Sequence, residues 1–198
     1  PGTNVWRLGT DPTGKTVEIS IRNFLLAGNG IAGYVTIRGL HFRHSSTQIG
    51  MAPLEAVSDG TGRRYICTPP VGQQECSGRN LGQGWLFENN DISLVTSMGL
   101  KLNGDYAVAR NNRIHDLEGT QGSSGGDSQY VLVEGNEIWG INNLGPRWHG
   151  FNYGTGGMDP GAVNQWTVRN NVIHDNFGYG FNCDIGCRGL LIEGNRVY

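Results

Sequence analysis

Three aspartates sit in short glycine-framed stretches: Asp127 in GGDS, Asp159 in GGMDPG and Asp184 in GFNCDIG. Two carboxyl groups held about 5–9.5 Å apart are what a retaining or inverting glycosidase uses, one as acid and the other as nucleophile or base. Carboxylates that close also push one pKa upward, which supplies the proton donor. Counted back from the next asparagine of the repeat described below, Asp127 and Asn103 lie 9 residues upstream, Asp184 11 and Asp159 12. Stacked repeats about 4.8 Å apart would then place these carboxylates roughly 5 Å apart on adjacent units and 10 Å on alternate ones. Lys101, in GLKLNGD, and Asn182, in GFNCDIG, fall on the same predicted face. The structural alternative for each aspartate is a turn-former that bonds its own backbone.

A second group lies in the segment 140–160, where PRWHGFNYGTGG brings Arg147, Trp148, His149, Phe151 and Tyr153 together. Aromatic and cationic side chains of this kind suit the wall of a sugar-binding groove, with His149 available as acid or base near neutral pH. Elimination from a uronate would instead need a base and a group that neutralises the sugar carboxylate. Lys101 with Arg110, Arg147 or His149 is the set the sequence offers. A lyase could alternatively use Ca²⁺, which takes three or more hard oxygens together, and no compact acidic cluster is visible in the sequence. The paired His115-Asp116 and His174-Asp175 read as architecture, with each histidine outward on a strand and each aspartate opening a turn.

The elements that must position these residues are repeats. WLFENNDI (85–92), AVARNNRI (107–114), VLVEGNEI (131–138), WTVRNNVI (166–173) and LLIEGNRV (190–197) align without gaps, with VTIRGLHF (35–42) as a weaker sixth. The shared asparagine falls at Asn90, Asn112, Asn136, Asn171 and Asn195, at spacings of 22, 24, 35 and 24. No amphipathic run is long enough for a helix, so each unit reads as two or three short strands joined by Gly and Asn. That pattern predicts an all-β parallel β-helix with coils of about 22–24 residues. Period-two alternation predicts three inward ladders: Trp85/Ala107/Val131/Trp166/Leu190, Phe87/Ala109/Val133/Val168/Ile192 and Ile92/Ile114/Ile138/Ile173/Val197. The repeated asparagine belongs at the bend, bonding the next coil and tolerating a left-handed backbone. The fifty positions from Leu40 to Asn90 read as two repeats plus a small loop, with insertions at about 45–84 and 140–160.

Composition agrees. Glycine accounts for 33 of 198 residues and asparagine for 19, the signature of many tight turns in an ordered chain. The net charge of −2 carries no basic stripe, which argues against nucleic acid as partner, and no apolar run reaches membrane-spanning length. Cys67 with Cys76 and Cys183 with Cys187 form two local pairs, which predicts two small disulfides and an oxidising compartment. A free buried Cys183 is the alternative. The chain opens at Pro1 and closes inside an apolar alternation at Tyr198, so both ends read as cut from a longer protein with further coils or domains.

With its R-N-N and E-G-N turns, the repeat resembles the right-handed parallel β-helix family of pectate-type lyases, alginate lyases, mannuronan epimerases and several glycoside hydrolases. VRNNVIHDNFGYGFNCDIGCRGLLIEGNRV (168–197) and DPTGKTVEIS (11–20) resemble a bacterial secreted subgroup, with Asn182 where many members carry Trp and Met158 where they carry Lys. The resemblance implies a carbohydrate partner and an extracellular or periplasmic location. It leaves three functions open: a hydrolase with an aspartate pair, a uronate lyase or epimerase, and a noncatalytic binding or structural module. The expected catalytic residues are Asp159, Asp184, Asp127, His149 and Lys101. Arg147, Trp148, Tyr153 and Asn182 are expected to bind sugar, with no resident cofactor unless a lyase takes Ca²⁺.

Overall fold

The computed structural model describes residues 13, 34–44, 49–50, 83–95, 98–102, 104–119, 121–126, 128–142, 156–184 and 186–198. The first coil carries strands β1 (Thr36–Arg38), β2 (His41–Arg43) and β3 (Ile49–Gly50). The second has β4 (Leu86–Glu88), β5 (Asp91–Ser93) and β6 (Leu100–Lys101), and the third β7 (Val108–Arg110), β8 (Arg113–Leu117) and β9 (Gln121–Gly126). Then come β10 (Leu132–Glu134), β11 (Glu137–Ile141) and β12 (Gly156–Gly161), followed by β13 (Thr167–Arg169), β14 (Val172–His174) and β15 (Tyr179–Phe181). The last described coil has β16 (Leu191–Glu193) and β17 (Arg196–Val197).

Equivalent strands of successive coils pair in parallel, giving three sheets: β1-β4-β7-β10-β13-β16, β2-β5-β8-β11-β14-β17 and β3-β6-β9-β12-β15. The inward ladders are in register as the alternation requires. Phe87 faces Ala109, which faces Val133, Val168 and Ile192 in turn, while Ile92 leads to Ile114, Ile138, Ile173 and Val197. Trp85, Ala107, Val131 and Trp166 are buried beside them, with Leu190 partly buried against the same core.

The asparagine ladder is a continuous hydrogen-bond column. Asn112 Oδ1 accepts from both the backbone N and Nδ2 of Asn90 at 3.0 Å. Asn136 Oδ1 does the same for Asn112 at 2.9 Å, and the pattern continues through Asn171 and Asn195. The left-handed residue, however, is the one before the ladder asparagine. Asn89, Asn111 and Asn170 take φ of 54°, 53° and 55°, and Gly39, Gly135 and Gly194 fill the same place in the other coils. The division of labour is steric: the exposed residue makes the turn, which leaves the next one free to point its amide along the stack.

Two boundaries differ from expectation. β1 pairs directly with β4, Thr36 opposite Leu86, and Leu40 N donates to Asn90 Oδ1 at 3.1 Å. Leu40 therefore occupies the ladder position of the coil immediately before Asn90, and no coil fits between them. The insertions are also narrower than 45–84 and 140–160. Ile49–Gly50 is the third strand of the first coil, and β11 and β12 take in Gly140–Ile141 and Gly156–Pro160.

Candidate functional site

The third sheet carries the polar row. Leu100, Leu102 and Met158 are buried in the core, so by strand alternation the residues between or after them face outward. Lys101 is opposite Ser124, and Ser124 is opposite Asp159. Met158 is opposite Phe181 and accepts a backbone hydrogen bond from Asn182 N at 2.9 Å, which puts Asn182 next in line. The row across four coils is thus Lys101, Ser124, Asp159 and Asn182.

Asp159 is its centre. It is only 6% exposed, and both carboxyl oxygens are engaged. Oδ1 accepts from Asn182 Nδ2 at 2.8 Å and Oδ2 from Gln121 Nε2 at 2.5 Å, while Ser124 Oγ donates to its backbone carbonyl at 3.1 Å. Burial pushes its pKa above the ordinary carboxylate value of 3.8, the hydrogen bond from Asn182 pulls it down, and the negative charge of Asp184 pushes it up again. The balance is upward, because desolvation of the anion outweighs the amide donor.

Asp184 does not stand directly beside Asp159. Its backbone N donates to Pro160 O at 3.0 Å, and a Cβ placed on Gly161 would lie 3.4 Å from its own Cβ. It is therefore the neighbour of Gly161, two residues along the chain from Asn182 and on the same face. With no side chain at Gly161, the exposed Asp184 carboxyl lies diagonally across bare backbone from Asp159. Adjacent-coil stacking of these two aspartates is corrected to this diagonal arrangement. The cause is the turn lengths, which differ between the coils and break the near-equality of the 12- and 11-residue offsets.

The profile described as "Right handed beta helix region" matches residues 75–198. The chain belongs to the right-handed β-helix family. No curated protein and no solved structure matches it.

Of the expected site residues, the β-helix brings Asp159, Asn182, Asp184 and Lys101 onto one face. Asp127, Arg147, Trp148, His149, Phe151 and Tyr153 lie outside the described residues, as do Asn103, Cys67 and Cys76. Arg110 is on the first sheet, ion-paired with Glu88 at 2.7 Å, and so is separated from Lys101 by a corner of the coil. Cys183 and Cys187 are joined as a disulfide, which removes the free-thiol alternative. Met158, where members of the resembling subgroup carry Lys, points into the core.

His115 and His174 are fully occupied by architecture. They stack with Trp139 between them, at 4.2 and 5.8 Å between ring centroids, and Tyr198 continues the column at 5.2 Å. Each Nδ1 lies 2.8 Å from the aspartate that follows it in sequence, and Asp116 and Asp175 make left-handed turns at φ of 51° and 49°. A cavity of about 390 Å³ lined by His41, Asp91, Asn111 and Arg113 opens at the turn between the first and second sheets, away from the Asp159 row. Among the described residues no three His, Cys, Asp or Glu side chains converge as a metal site, and no helix is long and apolar enough to cross a membrane.

Sequence reasoning missed Gln121 and Ser124. Both belong to β9, and both touch Asp159 from a coil away. The available signal was a polar run, QGSS, in a strand whose counterparts supply core residues.

Proposed function

We propose that this protein processes polysaccharides, with the substrate lying along the outer face of the third sheet, Asp159 as general acid and Asp184 as the second carboxylate. The observation that carries the reading is the state of Asp159: a buried carboxyl that burial and the neighbouring Asp184 charge both bias toward its protonated form. A carboxyl with a raised pKa beside a second, exposed carboxyl is the pairing that glycoside hydrolysis needs. In the hydrolytic step the Asp159 proton passes to the glycosidic oxygen as its bond to the anomeric carbon breaks. A water then bonds that carbon and gives its proton to Asp184. Gln121 and Asn182 hold the Asp159 oxygens in place, and Lys101, two strands along the row, meets a neighbouring sugar.

Elimination from a uronate is the second reading, favoured by Lys101 standing on the same row as Asp159. Incubating the protein with plant, algal and bacterial polysaccharides separates the readings. New reducing ends without unsaturated-uronate absorbance mean hydrolysis, and both signals together mean elimination. Binding with neither signal makes the face a carbohydrate-binding module. Product formation that Asp159→Asn leaves unchanged would remove Asp159 from the chemistry.

A further inference from the structure

The outer face of the first sheet carries three rows that run along the stack. One alternates in charge at every coil: Arg38, Glu88, Arg110, Glu134, Arg169 and Glu193 stand side by side in that order. Two ion pairs close inside it, Arg110 Nε to Glu88 at 2.7 Å and Arg169 Nε to Glu134 at 2.8 Å. Arg38 and Glu193, exposed at the two ends, are left without an ion pair among the described residues. Two residues earlier on each strand lies an apolar row centred on Leu86, Val108 and Leu132, which face outward and are only partly buried. Beyond it, at the corner, Tyr34, Tyr106 and Tyr130 are exposed on left-handed backbones at φ of 58°, 59° and 59°, a conformation bulky residues rarely take. Tyr106 and Tyr130 stack at 5.1 Å between centroids. Exposed tyrosines beside an aliphatic strip, edged by arginines, have the composition of a protein interface.

We infer that a second copy of the chain docks on this face, with the two coil stacks antiparallel about a two-fold axis that runs along the strands. The charge row decides the orientation. Reversed end for end, an even-numbered row that alternates in sign meets itself with opposite charges throughout. Arg38 then faces the partner's Glu193, Glu88 the partner's Arg169, and Arg110 the partner's Glu134. The two charges left over in one chain are thus paired twice across the dimer. The same operation keeps each row opposite its own kind, so Val108 meets the partner's Leu132 and Tyr106 the partner's Tyr130. A two-fold axis along the stack would instead lay the charge row on the tyrosines and strand its charges on an aromatic edge. Six strands about 4.8 Å apart, each crossing the face in five residues of about 3.3 Å, give roughly 500 Å² per copy. The pair therefore buries about 1,000 Å², the area a specific interface must reach. The third sheet takes no part in the contact, so the inference is independent of the reading of that sheet.

Sedimentation velocity of the whole chain over a micromolar dilution series reads the oligomeric state. The expected result is a reversible monomer–dimer equilibrium that weakens as salt rises. Arg38→Glu alone, or Glu193→Arg alone, sets like charges against each other at both ends of the interface and should weaken the dimer about tenfold or more. The double variant Arg38→Glu/Glu193→Arg restores opposite charges across the axis and should return to within about threefold of wild type. That rescue cannot arise within one chain, where positions 38 and 193 stand at opposite edges of the six-stranded sheet, about 24 Å apart. Far-ultraviolet circular dichroism checks that each variant keeps the fold, and the wild-type dilution series decides the dimer without them. A monomer at every concentration overturns the inference. So does a dimer that the single reversals leave untouched, or one that the double variant fails to restore.

Discussion

Replacing Asn112 by alanine tests the architecture where it is most fully specified. Its Oδ1 accepts from Asn90 N and Nδ2, and its Nδ2 donates to Phe87 O at 3.0 Å and to Asn136 Oδ1 at 2.9 Å. Three of those partners have an alternative after truncation. Asn90 Nδ2 still bonds Ile37 O, Asn136 Oδ1 still receives Asn112 N, and Phe87 O keeps its place in the β4–β7 ladder. Asn90 N has none, and the side chain it loses is 1% exposed, too deep for water to replace it without rearrangement. One orphaned buried group gives an expected loss of roughly 1–3 kcal/mol. Urea unfolding monitored by far-ultraviolet circular dichroism measures it as a shift in midpoint at constant slope. Asn111→Gly is the control: that residue is exposed at φ 53°, a conformation glycine accepts, and the midpoint should move by less than about 0.5 kcal/mol. A loss below about 0.5 kcal/mol for Asn112→Ala would mean that the column contributes geometry without energy, and that Asn90 N finds another partner.

Asp159→Asn should lower turnover on any polysaccharide the protein cleaves by about 10²–10⁴-fold, as loss of a positioned acid does, read by initial rates of reducing-end release. The same variant should alter stability with pH. Native Asp159 holds its proton to higher pH than the unfolded chain, so the wild type loses stability as pH rises from about 3.8 through the raised native value. Thermal melts across that window should show the decline in wild type and its absence in Asp159→Asn. A hydrolytic reaction should invert the anomeric centre. Diagonal neighbours in a sheet sit about 7–8 Å apart, on the scale of the roughly 6.5–9.5 Å that inverting enzymes keep between carboxyls, and proton NMR of the first-formed product decides it. Opening the Cys183–Cys187 disulfide, which closes a loop of sequence separation 4, should cost about 2 kcal/mol, measured as the melting difference between the wild type and the Cys183→Ser/Cys187→Ser double variant. An unchanged melt would show that the coil corner holds without it.

The sequence by itself determined the coil. Strand alternation and the 22–24-residue return of one asparagine are both local patterns, and together they dictate which side chains stack inward, because parallel pairing of equivalent strands satisfies every ladder at once. Ile114, Ile138 and Ile173 could hardly be placed otherwise. The site was legible only as residue types. Asp159 and Asp184 were visible as polar residues on an outward face, yet their relation depends on the corners between strands, whose lengths vary from coil to coil and are invisible to a count along the chain. A shift of two residues put Asn182 beside Asp159 and sent Asp184 to the diagonal. The same blindness hid Gln121, which reaches Asp159 across 38 positions of sequence, and made the fifty positions before Asn90 look like two repeats, when direct pairing of β1 with β4 leaves room for none. Desolvation completes the list. The raised pKa of Asp159 comes from what the folded chain packs around it, and burial is a property of the assembled surface that no spacing encodes.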